Sequence, residues 1–490
     1  MVNTGRPSRA CETCRRRRVK CDYRRPGCAK CERIGSECTY RNLESRELSF
    51  RNRTLASYMG SQQARRTQET QAISQPPKPV TESVDVHIMP LILSQFSLPG
   101  GAGRNSGRVI GTLKCFTSIL PTAEPGSLMH LACTAVGVAW LSNQSNSSSL
   151  AILHQRAYGE ALQHLRAALE HPLVQKQDSV LLAVWMLCVY ELILGTSPGD
   201  SSAGPLNWAT HSKALTGLLR ARGEAQFATP TGCQLYQLTY HHIVGSFLVI
   251  SAVSNISKQG HTLHTGSLPP PEAKQWFQTL SSVVDTNDPT YFFLRSFYCG
   301  DDAAPICSNA ITSFKTATNL PAKLAVIESL SFAAQDLESR ILSLRDKGPF
   351  SSILTSAQKP YLVIHIRNHL DHCLVRIYSI LTGFVLDTIR QFNMDPELQE
   401  TIQQVYQVSI HKSQEYADRI LSTVPQLLPE KSSSPPGWAD TLRLLGPLRI
   451  VLASPGTLDS QKETARVSLK RIAYEVGIRQ AVGSFFGDIP

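Results

Sequence analysis

Residues 11–38 read CETCRRRRVKCDYRRPGCAKCERIGSEC, with cysteines at 11, 14, 21, 28, 31 and 38. As a pattern this is C-x2-C-x6-C-x6-C-x2-C-x6-C, a C-x2-C-x6-C unit written twice. Tandem thiolate pairs with a third cysteine each are what a compact metal site needs, because zinc takes four ligands tetrahedrally at about 2.3 Å. Six sulfurs cannot fill two separate four-ligand sites. They can serve two zinc ions if two of them bridge both metals.

The residues between the cysteines point to what such a cluster is for. Six thiolates and two Zn²⁺ ions carry a charge of about −2, so some positive charge nearby is expected as balance. Arg15, Arg16, Arg17, Arg18 and Lys20, all between Cys14 and Cys21, go well beyond that. A short turn of helix held by metal and studded with arginine suits the major groove of DNA. There a guanidinium donates two parallel hydrogen bonds to guanine O6 and N7.

The segment resembles the fungal binuclear zinc cluster, the six-cysteine DNA-binding domain of fungal transcription factors. The resemblance rests on the six cysteines, the basic run after Cys14, Cys21-Asp22, Pro26 two residues before Cys28, and the closing Cys38-Thr39-Tyr40. It implies two short helices around two zinc ions, with Cys11 and Cys28 as the bridging ligands and Cys14, Cys21, Cys31 and Cys38 completing the set. It also implies base reading by Arg17 and Arg18, the second replacing a lysine common in the family. Arg15 and Lys20 belong to the same DNA-facing run. Lys30 and Arg33 sit in the second half of the repeat, which in the family faces the phosphate backbone.

Two plainer readings compete. A disulfide framework needs an oxidising compartment, and residues 1–30 contain no apolar stretch of the kind a secretory leader carries. A zinc knot used only for protein contact would not need so much arginine. Charge distribution favours nucleic acid as partner. Residues 1–83 hold 18 Lys+Arg against 8 Asp+Glu, a net of +10, while the whole chain is +11. Basicity confined to one end is an electrostatic footprint rather than general stickiness. The Arg15 to Lys20 run can also act as a nuclear import signal.

Beyond residue 41 the composition changes twice. Residues 42–87 read as a polar linker, with Gln75-Pro76-Pro77-Lys78-Pro79 near its end. Leu48, Leu55 and Met59 hint at a dimerisation helix, but Arg51 and Asn52 interrupt the heptad, so no coiled coil is assigned. Residues 88–490 have the composition of a globular domain, and their helical periodicity predicts a large all-α domain of packed helical hairpins. Apolar stripes step by three and four through Leu150, Leu153, Ala157, Ala161, Leu165 and Leu169, through Leu324 to Leu344, and through Ile366, Leu370, Cys373, Ile377, Leu381 and Phe384. Asp395-Pro396 reads as a helix start, and long loops are expected near 195–205, 257–272 and 429–437. Val180 to Leu194 is the apolar run to consider for a membrane. At about fifteen residues with Glu191 inside it, a buried core helix is the expectation and no membrane partner is assigned. Glu170-His171-Pro172, this run, Trp208, His211 and Leu218 to Gly223 resemble the fungal-specific regulatory region that often follows the cluster.

Three constellations raise an enzyme. Gly195-Thr196-Ser197-Pro198-Gly199 matches G-x-S-x-G, but the preceding segment is helical and Pro198 has no N–H for an oxyanion. His365, His369 and His372 beside Cys373 span about 10.5 Å along a helix, too far for one zinc, and read as histidines at the edge of a buried face. Gly100-Gly101-Ala102-Gly103 lacks the lysine of a phosphate loop. Cys115, Cys133, Cys188, Cys233, Cys299, Cys307 and Cys373 show no pairing and read as small buried hydrophobes.

The expectation is a nuclear, sequence-specific DNA-binding regulator of RNA polymerase II transcription that is not an enzyme. Its partners would be promoter DNA, a second copy as homodimer, and co-regulators contacting the helical region. The resemblance implies CGG-type triplets and a metabolic gene set, such as a secondary-metabolite cluster. A DNA-tethered enzyme and a chromatin scaffold without sequence preference are the alternatives.

Overall fold

The computed structural model describes residues 10–40, 84–96, 114–145, 147–195, 204–254, 271–283, 295–296, 298–300, 302–347, 360–429 and 437–482. The chain divides into two units, Met1–Thr81 and Glu82–Pro490. The hint of a dimerisation helix at Leu48, Leu55 and Met59 falls outside the described residues, as do Gly100 to Gly103 and most of the three expected loops.

Among its described residues, 10–40, the first unit forms two short helices, α1 (Glu12–Arg16) and α2 (Ala29–Arg33). The buried apolar ones among these described residues are Cys11, Cys14, Cys21, Cys28 and Cys31, with Ala10, Cys38 and Tyr40 packed against them. Sulfur is its core. So little hydrocarbon cannot offset the chain entropy of ordering these residues, so binding of metal has to supply the folding free energy.

The second unit is helical throughout its described regular structure. It opens with α3 (Val84–Phe96), which starts four residues ahead of the expected domain start at residue 88. Pro90 inside that helix hides it from a propensity reading, yet Ile88, Ile92 and Phe96 recur at four-residue steps and are buried. Gly137 lets α3 approach: a Cβ there would stand 3.0 Å from two Ile88 carbons. The order continues with α4 (Lys114–Ile119), α5 (Leu128–Ser145), α6 (Ser148–Glu170), α7 (Asp178–Leu194), α8 (Gly204–Arg222), α9 (Pro230–Ser254) and α10 (Ala273–Val283). It ends with α11 (Ala303–Thr316), α12 (Leu320–Lys347), α13 (Pro360–Gln391), α14 (Pro396–Leu427), α15 (Trp438–Leu442), α16 (Leu445–Ala453) and α17 (Asp459–Arg471). α5 packs on both α6 and α7, and α13 and α14 form the longest hairpin. α9 bridges the halves, touching α4, α7 and α8 as well as α11, α13 and α16.

Most stripes land as read. Ala157, Ala161 and Leu165 of α6 are buried, as are Ile327, Leu330, Ala334, Leu337 and Ile341 of α12. Leu169 does not follow: at the last turn of α6 it is 39% exposed. Asp395 caps α14 by accepting from the Leu398 N–H at 2.9 Å, with Pro396 at the first helical position. All seven remaining cysteines are buried and unbridged.

Two readings need correction. Val180 to Tyr190 are all buried, but Val363–Gln391 also meets the length and composition of a spanning helix, with 72% of its apolar window buried inside the unit. Its scattered Arg367, Asp371 and Arg376 concealed that in the sequence. Nor do His365, His369 and His372 lie at an edge: they are 5%, 6% and 3% exposed. α13 is surrounded by α11, α12, α14, α16 and α9, so it has no edge there. Burial pushes His372 well below the usual histidine range. Gly300 accommodates the row, since a Cβ there would come within 2.8 Å of His369 Nε2.

A polar tie crosses the long helices. The Glu338 carboxylate (α12) accepts from Tyr378 Oη (α13) at 2.5 Å, from Lys412 Nζ (α14) at 2.7 Å, and from Tyr416 Oη. Burial disfavours its charge, but the Lys412 ammonium and the two phenols outweigh that and lower its pKa. A depressed carboxylate contributes stability above the ordinary glutamate value and loses it as pH falls through the folded value. Glu338→Ala should cost about 2–3 kcal/mol, because two buried phenols lose their acceptor. Thermal melting followed by circular dichroism should show the loss at pH 7 and its shrinking as pH falls below the ordinary glutamate range and through the lowered folded value; an unshifted melting point at pH 7 would refute the tie.

Candidate metal centre and nucleic-acid interface

The six cysteine sulfurs fall into two tetrads, Cys11-Cys14-Cys21-Cys28 and Cys11-Cys28-Cys31-Cys38, each with its ligand atoms within 4.8 Å of one another. Cys11 and Cys28 belong to both. Their Sγ atoms are 3.8 Å apart, with Cys11 3.7 Å from Cys31 and Cys28 3.6 Å from Cys14. Two tetrahedral ions sharing two thiolates require this arrangement. Burial pushes the Cys31 thiol up to about 12 and moves Cys11 the same way, so a cation is needed to hold them as thiolates near neutral pH.

The backbone explains why the chain delivers sulfur in this pattern. Cys11 caps α1 and Cys28 caps α2, each Sγ accepting from the N–H three residues on at 3.4 Å. The third cysteine of each half receives the N–H of its capping residue, Cys28 to Cys38 at 3.2 Å and Cys11 to Cys21 likewise. Hydrogen bonds from N–H groups favour the thiolate form. The helices also end alike. The Arg18 N–H reaches Arg15 O at 3.2 Å and the Val19 N–H reaches Cys14 O at 3.0 Å; Gly35 and Ser36 repeat this onto Glu32 and Cys31 at 3.2 and 3.1 Å. Both are Schellman closures, which need one residue in the left-handed region. In the second half it is Gly35, φ 61°; in the first it is Arg18, φ 53°.

Thr13 Oγ1 donates to Glu37 O at 2.8 Å and the Glu12 N–H to Thr39 O at 2.9 Å, closing the ends of the repeat. Asp22 Oδ2 accepts the Ala29 N–H at 3.1 Å, and Tyr40 Oη donates to Arg24 O at 2.9 Å. These contacts give Asp22 and Tyr40 a role that the sequence motif showed only as matches.

Arg15, Arg17, Arg18, Lys20, Lys30 and Arg33 are all exposed. Arg15 approaches Glu12 at 4.0 Å, and among the described residues the other five have no ion-pair partner. The basic run therefore leaves a rigid sulfur frame with its charge unspent. Reading by pattern missed that Arg18 stands where its own repeat carries glycine. Aligning Cys11-Cys14-Cys21 on Cys28-Cys31-Cys38 would have found it, because that alignment sets Arg18 on Gly35.

The other sequence candidates do not assemble. Among the described residues only the cysteine tetrads bring three or more metal-type ligand atoms together, and the α13 histidines are not part of such a group. Gly195 ends helix α7 at φ 67°, where a Cβ would meet the backbone of Arg479 and Gln480 at 2.7 Å. The G-x-S-x-G match thus begins at a helix end rather than on a strand. Its remaining residues lie outside the described set.

Residues 9–47 match the fungal Zn(2)-Cys(6) binuclear cluster domain, which carries two zinc ions, and residues 115–428 match the fungal specific transcription factor domain. Among curated proteins, the aspercryptin biosynthesis cluster-specific transcription regulator atnN of Emericella nidulans is 38% identical over 73 residues, 15% of this chain and 12% of that protein. The C6 finger domain transcription factor hasF of Aspergillus fumigatus is 61% identical over 31 residues, 6% of this chain and 4% of its own length. No solved structure matches.

A non-glycine residue in the left-handed region costs about 1–2 kcal/mol. Arg18→Gly should therefore make the zinc unit harder to strip, and Gly35→Ala should make it easier, by about 1 kcal/mol each. The Gly35 site has nothing within 4 Å of a new Cβ, so its cost is conformational alone. Titration of the zinc-loaded protein with a competing chelator reads both; zinc lost more readily from Arg18→Gly would overturn the assignment.

Proposed function

From the premise that the chain belongs to the fungal specific transcription factor family, and is a transcription factor rather than an enzyme, we propose that it is a nuclear regulator that binds promoter DNA sequence-specifically through residues 6–41. In this reading Cys11 and Cys28 bridge two zinc ions completed by Cys14, Cys21, Cys31 and Cys38. The frame presents α1 to the major groove, where Arg17 and Arg18 read a CGG-type triplet as bidentate donors to guanine. Arg15, Lys20, Lys30 and Arg33 neutralise phosphates and set orientation.

The observation that carries the reading is Arg18 itself. A turn that glycine would close without strain is closed instead by an exposed arginine with no ion-pair partner among the described residues. Tyr23, also exposed, shares the left-handed region at φ 61°, but it lies outside the repeat's helix-closing turn. Strain kept at the exposed Arg18, where the repeat offers glycine, supports a role for that side chain outside the fold. The net charge of +10 within residues 1–83 supports DNA as the partner. The regulated genes would be a metabolic set, a reading supported by the relative named for a biosynthesis cluster. Homodimerisation and co-regulator contacts through residues 88–490 complete the proposal. A chromatin scaffold without sequence preference is the competing reading. It predicts equal affinity for triplet-containing and scrambled duplexes.

Metal analysis should give two zinc ions per chain, each structural ion supplying on the order of 10 kcal/mol of folding free energy. Cys11→Ser and Cys28→Ser should release both ions, while Cys38→Ser should release one. One zinc per native chain would refute the shared-ligand assignment.

Arg18→Ala should cost about 1–3 kcal/mol on the preferred duplex and flatten preference at one base. Lys30→Gln or Arg33→Gln should weaken all duplexes alike and reduce the salt slope by about one unit. Binding to single-base variants, with zinc content measured in parallel, checks both. Retained zinc with unchanged base preference in Arg18→Ala would remove Arg18 from the reading role.

A further inference from the structure

A cavity of about 830 Å³ opens in the helical unit between α9, α10, α11 and α12. Its volume is that of a site for a small organic molecule. Three of its lining rings form a ladder. Tyr240 and Tyr298 stack with centroids 5.6 Å apart and planes 8° apart, and Tyr298 stacks on Phe277 at 3.7 Å and 30°. Rings stacked on one another leave their electropositive edges for a further guest, which suits the face of another flat ring.

The charged lining is unbalanced. Lys274, Arg295 and Arg340 face one carboxylate, Asp302. Arg340 is already committed: its Nη1 donates to Asp302 Oδ2 at 2.6 Å, and its Nε lies 3.0 Å from Asp336 Oδ2. Lys274 and Arg295 are exposed and, among the described residues, have no ion-pair partner. Aromatic walls combined with two uncommitted cations select for a ligand that is flat and apolar at one end and anionic at the other. A neutral ring compound would leave the cations unused, and a small polar anion would leave the aromatic wall uncovered.

We propose that this cavity binds a planar aromatic carboxylate, its rings against the Tyr240, Tyr298 and Phe277 ladder and its carboxylate on Lys274 and Arg295. The site belongs to the helical unit alone and stands whether or not the cysteine unit reads DNA as proposed. Because the two cations are solvent-exposed, the affinity weakens as ionic strength rises.

The test uses the full-length, zinc-loaded protein and isothermal titration calorimetry at low salt. The probes are 2-naphthoate, its uncharged counterpart 2-naphthalenemethanol, and octanoate. Naphthoate should bind at least ten-fold more tightly than either of the others. The double variant Lys274→Gln with Arg295→Gln should lower naphthoate binding to the level of the alcohol. Ser343→Trp, on an exposed helical position lining the cavity, should abolish binding of both ring compounds while the thermal melt stays unchanged. No binding of naphthoate at millimolar concentration overturns the proposal. So does equal binding of acid and alcohol, or of octanoate and naphthoate, or undiminished naphthoate binding in both variants.

Discussion

Two sulfur atoms, those of Cys11 and Cys28, set the geometry of the N-terminal unit. Each caps a helix, each belongs to both tetrads, and each half of the repeat is built outward from one of them. With sulfur in place of a hydrocarbon core, the unit is organised by ligand directions rather than by packing. That has a consequence for recognition. A core of side chains tolerates small shifts, whereas a bridged pair of tetrahedral ions holds its ligands, and hence the turn at Arg18, to a narrow range of positions. A base-reading arginine benefits from that rigidity, because bidentate hydrogen bonding to guanine is demanding in direction.

The helical unit solves a different problem by the ordinary means. Its stripes bury leucine, isoleucine, valine and alanine between hairpins, and its polar side chains tie together elements that lie far apart in sequence. Trp140 Nε1 donates to Val476 O at 2.7 Å, Asn143 Nδ2 donates to Ile193 O and Gly477 O at 2.8 Å, and Arg449 Nη2 reaches Ala481 O at 2.6 Å. The segment 472–482 is thereby fastened to α5 and α16 through its own carbonyl groups. Gly195 leaves room for it, since any side chain there would meet its backbone. These are contacts between side chains and main chain, insensitive to most substitutions in the segment they hold.

The two units also differ in how their sequences could be read. In the first, every ligand and every candidate DNA contact lies within 28 consecutive residues, and identity and spacing carry nearly all the information. Even so, the left-handed turn at Arg18 is hidden within the basic run, since residues 15–20 read as one charged patch until the two halves of the repeat are aligned. In the second unit, helix and burial were legible wherever a stripe was clean. Leu169 fails because a stripe continues past the point where the neighbouring helix ends. α3 was overlooked because Pro90 contradicts it locally while the packing of Ile88 and Ile92 overrides that cost. The α13 histidines read as edge residues in the sequence because their own helix's apolar stripe lies beside them, whereas five neighbouring helices cover the rest of α13.

Chemistry that depends on near neighbours is legible in the chain alone: the metal-ligand set, the confinement of positive charge to one end, and the helical character of the larger unit. Ligand spacing and 3.6-residue periodicity are local properties, written where they act. Which distant groups meet is settled by the packing of the folded chain. Glu338 finds Lys412 and Tyr416 more than seventy residues away. Tyr240, Phe277, Tyr298 and Arg340 come from separate helices and segments to line one cavity, and nothing in their order foretells it. Such meetings are set by how several helices pack at once, and a packing arrangement leaves no period in the chain.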